Sequence, residues 1–309
     1  MMKKEYLAVG RSGLAALFPE LPERANKGDM GRVLLICGSY DQSGLSMCGA
    51  AYFAAKAAYR CGAGIVEIFT PRENYLTLAT LVPEAVFSLY GYEESCEAVA
   101  ARVKVEAEKC DAVVLGCGLG KSAVSRAIVS AIFESAAYPL LIDADGLNIL
   151  SEDDGLWGLL SEEQKERTVI TPHPGEMARL CGLAVDEILS DAVSVAYDFA
   201  EKKGIICLLK DHNTVVSDGE VVYINQSGNA GMATAGMGDI LAGVIGALMA
   251  RTAMGKVVDN KDDFWLCAVA GAYLHGRAGD LAAAKIGQYS LNASDLLSEI
   301  PSAISEFFG

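Results

Sequence analysis

The chain has 309 residues, 52% of them hydrophobic, enough for one large α/β domain or two small ones with a sizeable core. A formal net charge of −15 argues against a protein that neutralises nucleic-acid phosphates regardless of sequence. It still leaves room for a small anion held by local N–H groups and a few lysines.

Short β-rich runs alternate with longer helical ones. Arg32–Cys37 reads as a strand and Ser43–Cys61, rich in alanine, as a helix. Gly64–Phe69 reads as the next strand. Asp111–Leu115, Pro139–Ile142, Thr168–Thr171 and Ile205–Leu209 are short, continuously apolar strands, of the kind buried on both faces of a parallel sheet. Val215–Ser217 and Val221–Ile224 flank Asp218-Gly219 and read as a hairpin. Beyond Asp239 the chain reads as mostly helical. This alternation predicts an α/β fold, a mostly parallel sheet with helices on both faces. With no linker, repeat or low-complexity segment, the reading is one domain over 1–309, residues 1–26 being an N-terminal extension.

None of the nine cysteines forms a CxxC pair or a zinc spacing. Cys37, Cys61, Cys110, Cys207 and Cys267 lie in apolar or small-residue surroundings and read as reduced, buried thiols of a cytoplasmic protein. The start, Met1–Tyr6, lacks the apolar core of a signal peptide. No apolar run reaches about 18 residues, so no membrane span is expected.

In sheets of this kind ligands lie outside the carboxyl ends of the strands. Five small, polar loops fall there: Cys37–Gly44, Gly116–Gly120, Asp143–Asn148, Thr171–Glu176 and Lys210–Thr214. Any one could be an ordinary turn, since Gly, Asp and Asn favour turns for backbone reasons; five together point to a site. Of three histidines, His173 and His212 lie in these loops. His173, between two prolines, is either a fixed ligand contact or a helix cap. His275 is expected to pack within a helix. Lys210 could meet a phosphate as a point charge. Asp143 and Asp145 could order a loop or hold metal-bound water.

The segment Asn229–Asp239 carries the most information. Glycines give way to the apolar run Ile240–Ile245, with an acidic residue at the junction. Free N–H groups at a helix start attract phosphate. A carboxylate in the first turn then stands beside that phosphate and can deprotonate a hydroxyl.

Together, Lys27–Leu34, LIDADGLNIL (141–150), ITPHPGEMARL (170–180), Lys210–Thr214, GNAGMATAGMGDILAGVI (228–245) and YSLNASDLL (289–297) resemble the ADP/ATP-dependent NAD(P)H-hydrate dehydratases of the ribokinase-like superfamily. The resemblance runs from about Lys27 to Ile300. It implies a ribokinase-like fold and dehydration of the S form of hydrated NADH or NADPH. ADP or ATP would phosphorylate the hydroxyl, which leaves as phosphate. It implies that Asp239 contacts the hydrated nicotinamide and acts as base. Leu45, Gly118, Gly120 and His173 would also hold this substrate. Lys210, Asp211, His212, Asn213 and Thr214 would line the nucleotide, with Gly236 and Gly238 giving N–H groups to its phosphate. Glu176 is a weaker candidate for the Mg²⁺ shell. Also implied are a homo-oligomer (a tetramer) and a separate epimerase, since residues 1–26 are too short to be one. Membrane and nucleic-acid partners are not expected. The sequence departs from the family pattern at Ala235, Cys117, Ala230 and Asp211–Asn213. A hydroxyl kinase of the same superfamily and a non-catalytic nucleotide-binding regulator remain as alternatives.

Overall fold

The computed structural model describes residues 5–308 apart from 8, 10, 22, 42, 92 and 257–260; Met1–Lys4 and Gln42, part of the reading above, lie outside it. The strands are β1 (Glu5–Tyr6), β2 (Arg32–Ile36), β3 (Ile65–Pro71), β4 (Val86–Tyr90), β5 (Ala112–Leu115), β6 (Leu140–Ile142), β7 (Thr168–Ile170), β8 (Ile206–Leu209), β9 (Val215–Ser217) and β10 (Val221–Ile224). They form one sheet in the order β1-β10-β9-β8-β7-β6-β5-β2-β3-β4. From β4 to β8 every pairing is parallel; β8-β9 and β9-β10 are antiparallel.

The helices are α1 (Arg11–Ala15), α2 (Cys48–Arg60), α3 (Tyr75–Leu81), α4 (Cys96–Ala107), α5 (Ala123–Ser135), α6 (Asp145–Glu152), α7 (Glu162–Glu166), α8 (Pro174–Cys181), α9 (Val185–Ser190), α10 (Ala192–Lys203), α11 (Met237–Arg251), α12 (Lys261–Ile286) and α13 (Ala293–Ser305). Side chains alternate across a strand, and the central strands are apolar at every position. They therefore feed two cores. Val33, Leu35, Val114 and Leu141 pack with α2, α11, α12 and α13, while Leu34, Ile36, Val113 and Ile142 pack with α4, α5, α6 and α10. All eight of these strand residues are fully buried. Burying each such side chain contributes about 1.5–3 kcal/mol.

The predicted strands and the hairpin are present, mostly trimmed by one residue. The edge strands β1 and β4 were not foreseen. Both are incompletely buried, and neither carries the continuous apolar run that marks the central strands: β1 has two exposed residues, and Ser88 interrupts β4. The helix expected over Ser43–Cys61 begins at Cys48. Asp41 diverts the preceding segment: its Oδ1 accepts from Ser43 N (2.8 Å), Ser43 Oγ (2.6 Å) and Leu45 N (3.0 Å). Such local side-chain bonds compete with helix formation. One helix bears on the membrane expectation. Met237–Met254 is long and apolar enough to cross a bilayer by length and composition, yet 78% of it is buried inside the fold.

Candidate active site

Because β2, β5, β6, β7 and β8 run parallel, their five following loops open on one side of the sheet. The approach of α11 completes the site there. Its N-cap, Gly236, has φ +89°, and a Cβ there would lie 2.8 Å from Ala293 Cβ and 2.9 Å from the Phe53 ring, so glycine is required. No side chain caps the helix, which leaves its first N–H groups for a ligand. Ala235, by contrast, is not among the positive-φ residues, and its methyl is accommodated without backbone strain.

A cavity of about 720 Å³ lies in front of this helix start. It is lined by Lys210, Asp211, His212 and Thr214, by the Ser227–Gly238 segment, and by His173, Glu176, Asp143 and Asp239. Asp211, His212 and Asn213 are exposed at the rim. Asn213, Leu45, Gly118 and Gly120 are not in this lining. The last three belong to the neighbouring loops after β2 and β5, where Leu45 is 59% exposed. Asp145 Oδ2 accepts from Gly120 N (2.8 Å), and buried Asn74 accepts from Ser46 Oγ (3.0 Å), so both loops are held in place.

Between the two loop groups sit the carboxylates. Lys210 Nζ donates to Asp143 Oδ1 at 2.7 Å, and Thr171 Oγ1 donates to the same oxygen at 2.8 Å. Cys117 Sγ lies 3.8 Å from Asp143 Oδ2. The ligand atoms of Cys117, Asp143 and Asp239 lie within 4.8 Å of one another. Burial, with the Asp143 charge, pushes the Asp239 carboxyl up to about 6. Burial lowers Lys210, but Asp143 and Glu176 outweigh it and hold the ammonium above its ordinary value. The Cys117 thiol is held well above its usual range by its hydrogen bond with Cys37 and by burial. A buried base near 6 is ionised at neutral pH yet can still accept a proton.

Ala144 joins Asp143 to Asp145 at φ 48°, the one non-glycine of positive φ among the described residues. Such a conformation costs about 1–3 kcal/mol. It lets neighbouring carboxylates serve different loops: Asp143 faces Lys210, and Asp145 holds Gly120.

His173 is the N-cap of α8, the second of its two sequence readings, and it also lines the cavity. Its Nδ1 accepts from Gly175 N (3.0 Å), and Glu176 Oε2 accepts from His173 N (2.9 Å). His275 lies on α12 as expected, but against the cavity. Sequence reasoning passed over Asp280. Its carboxylate accepts from Gly228 N and from Asn229 Nδ2, each at 3.0 Å, and anchors the glycine-rich loop. An acid in mid-helix, some fifty positions from that loop, carries no local signal.

A family model described as NAD(P)H-hydrate dehydratase matches residues 33–302. The chain belongs to the NAD(P)H-hydrate dehydratase family. A bifunctional NAD(P)H-hydrate repair enzyme of Coxiella burnetii is 36% identical over 91% of this chain and 52% of its own length. The chain thus spans about half the length of such bifunctional relatives. An ADP-dependent (S)-NAD(P)H-hydrate dehydratase of Neisseria meningitidis is 34% identical over 86% of this chain and 81% of its own. Among solved structures, a ribokinase-like superfamily protein of Enterococcus faecalis superposes with TM-score 0.77 at 26% identity, covering 99% of this chain and 97% of the other. The ribokinase-like fold expected from the sequence is the fold observed.

Proposed function

We propose that this protein returns hydrated NADH or NADPH to the dihydropyridine, consuming ADP or ATP. The observation that carries the reading is the placement of Asp239. It stands at the uncapped start of α11, between the cavity lined by Lys210–Thr214 and the loops bearing Leu45, Gly118 and Gly120. Nucleotide would fill the cavity, with its terminal phosphate on the N–H groups from Gly236 to Gly238. The hydrated ring would lie on the other side of Asp239, with its hydroxyl toward that phosphate.

Hydroxide is a poor leaving group near neutral pH. Asp239 takes the proton of the ring hydroxyl as that oxygen attacks the terminal phosphoryl group, whose bridging P–O bond breaks to release AMP from ADP, or ADP from ATP. The helix N-terminus and Lys210 stabilise the charge that develops. The ring-nitrogen lone pair then expels phosphate, and the neighbouring carbon loses a proton to restore the double bond. Tight positioning replaces any covalent nucleophile.

Mg²⁺ accompanies such nucleotides. The Cys117–Asp143–Asp239 cluster suits it poorly, because a thiol is a soft ligand and Lys210 already neutralises Asp143. Glu176, a hard carboxylate lining the cavity, would hold the ion together with the phosphates, and the ion would neutralise charge there. We also read the chain as one domain and as a homo-oligomer, the latter tested by light scattering.

Incubated with hydrated NADH, Mg²⁺ and ADP or ATP, the protein is expected to restore the near-ultraviolet absorbance of NADH. One phosphate should appear per NADH, and the rate should collapse without nucleotide. Recovery of no NADH, with a stable phosphate ester formed on an alcohol instead, would replace this reading with a hydroxyl kinase.

A further inference from the structure

From Gly228 to Ala235 every residue but Gly231 lines the cavity. The segment has no regular structure beyond one turn, Ala230–Met232. Chain rich in glycine loses much freedom on being ordered. The segment lies against one face of α12, on which Gly276, Gly279 and Asp280 stand together because they are three and four positions apart. A Cβ at Gly276 would come 2.5 Å from Ser227 O, and one at Gly279 would come 2.9 Å from Met232 Cγ. A side chain at either position would push the loop off the helix.

Asp280 fastens the loop in place. Its Oδ2 accepts from Gly228 N and its Oδ1 from Asn229 Nδ2, each at 3.0 Å. Asn229 Oδ1 in turn accepts from Gly231 N at 3.1 Å, which shapes the turn. The segment's other hydrogen bonds are internal. Among the described residues, the two to Asp280 are therefore its only hydrogen bonds to another element. The reacting groups are held separately: Lys210 by Asp143, and the start of α11 by the packing of Gly236 on Ala293 and Phe53.

We propose that Asp280 is a positioning residue for the nucleotide: through Gly228 and Asn229 it sets the loop in its binding shape before ligand arrives, and so governs nucleotide affinity rather than the chemical step. This rests on the nucleotide-binding reading above. A wall ordered in advance spares the ligand the entropy of ordering it. An interaction that serves bound nucleotide and transition state equally changes KM and leaves kcat alone.

Steady-state rates on hydrated NADH with Mg²⁺ and ADP or ATP, together with calorimetric titration of the full chain with ADP and Mg²⁺, test this. Asp280→Ala is expected to raise the nucleotide KM and Kd about tenfold, the size of a hydrogen bond to a charged group. Its kcat and its KM for hydrated NADH should stay near wild type. Asp280→Asn, which keeps the shape and one acceptor, guards against loss of the fold and should shift nucleotide binding in the same direction. Asn229→Ala should do so too, and the double variant should bind no more weakly than the weaker single, because both break one relay. The proposal is overturned if Asp280→Ala lowers the Tm while nucleotide KM and Kd stay unchanged, for then the tie only stabilises the fold. It is equally overturned if kcat falls with the nucleotide KM unchanged, or if the Asp280 and Asn229 effects add in full. Wild type that binds no ADP would overturn the nucleotide reading itself. Wild type that binds ADP, with variants that bind it equally well, removes only the role of Asp280.

Discussion

Asp239→Asn should damage catalysis and improve stability together. The carboxyl is lifted from 3.8 to about 6, chiefly by burial and by the Asp143 charge. Each pKa unit corresponds to about 1.4 kcal/mol, so holding Asp239 ionised costs the fold at most about 3 kcal/mol. The sign follows from proton binding. The folded state binds this proton more tightly than the unfolded one, so stability is lost as pH rises from about 4 through about 6, and the full cost persists above that. An uncharged amide of the same shape escapes it. For a chain of this size, ~3 kcal/mol corresponds to a Tm gain of about 5 °C at pH 8. The gain should be small near pH 4, where the folded carboxyl is neutral and the unfolded one about half ionised, and should vanish below about pH 3, where both are neutral. Turnover should fall by about 10²–10⁴-fold, the range for loss of a general base. Scanning calorimetry at both pH values and NADH recovery on the same preparations check this. Equal Tm values at pH 8 would refute the electrostatic account, and near-wild-type turnover would refute the base.

Wild-type kcat/KM should fall on an acid limb near pH 6, as Asp239 protonates. Since Asp143 is the second cause of that elevation, Asp143→Asn should move the limb to lower pH, and an unmoved limb would show that another group titrates. Intact-mass counting after denaturing alkylation should find nine free thiols with or without reductant, all nine being free in the structure. Under native conditions only Cys48, Cys96 and Cys181 should react quickly with a thiol reagent, because the other six are buried. Fast labelling of Cys117 would mean that the floor of the site opens.

What could be read in advance follows from the range of the forces involved. Short continuous apolar runs bounded by turn residues and alternating with helical stretches read as strands buried on both faces, so the central sheet was legible. So was the direction of the loops, because parallel strands place their carboxyl ends together. The turn into α11 was legible because glycine spacing and an acid in the first turn are local signals. Three-dimensional packing decided the rest. The start of α2 turned on how Asp41 spends its hydrogen bonds. Met237–Met254 became the core of an α/β fold because α2, α12 and the sheet cover it. Cys117 looked like a mere departure from a motif, yet the end of β5 sets its thiol among the carboxylates. Asp280 sits on a long helix with nothing beside it in sequence to mark it. It matters because the polypeptide returns after some fifty residues and sets that helix against the loop. A burial cost or a loop anchor exists only once that return is made, so sequence determined which groups could react, and tertiary structure decided which of them meet.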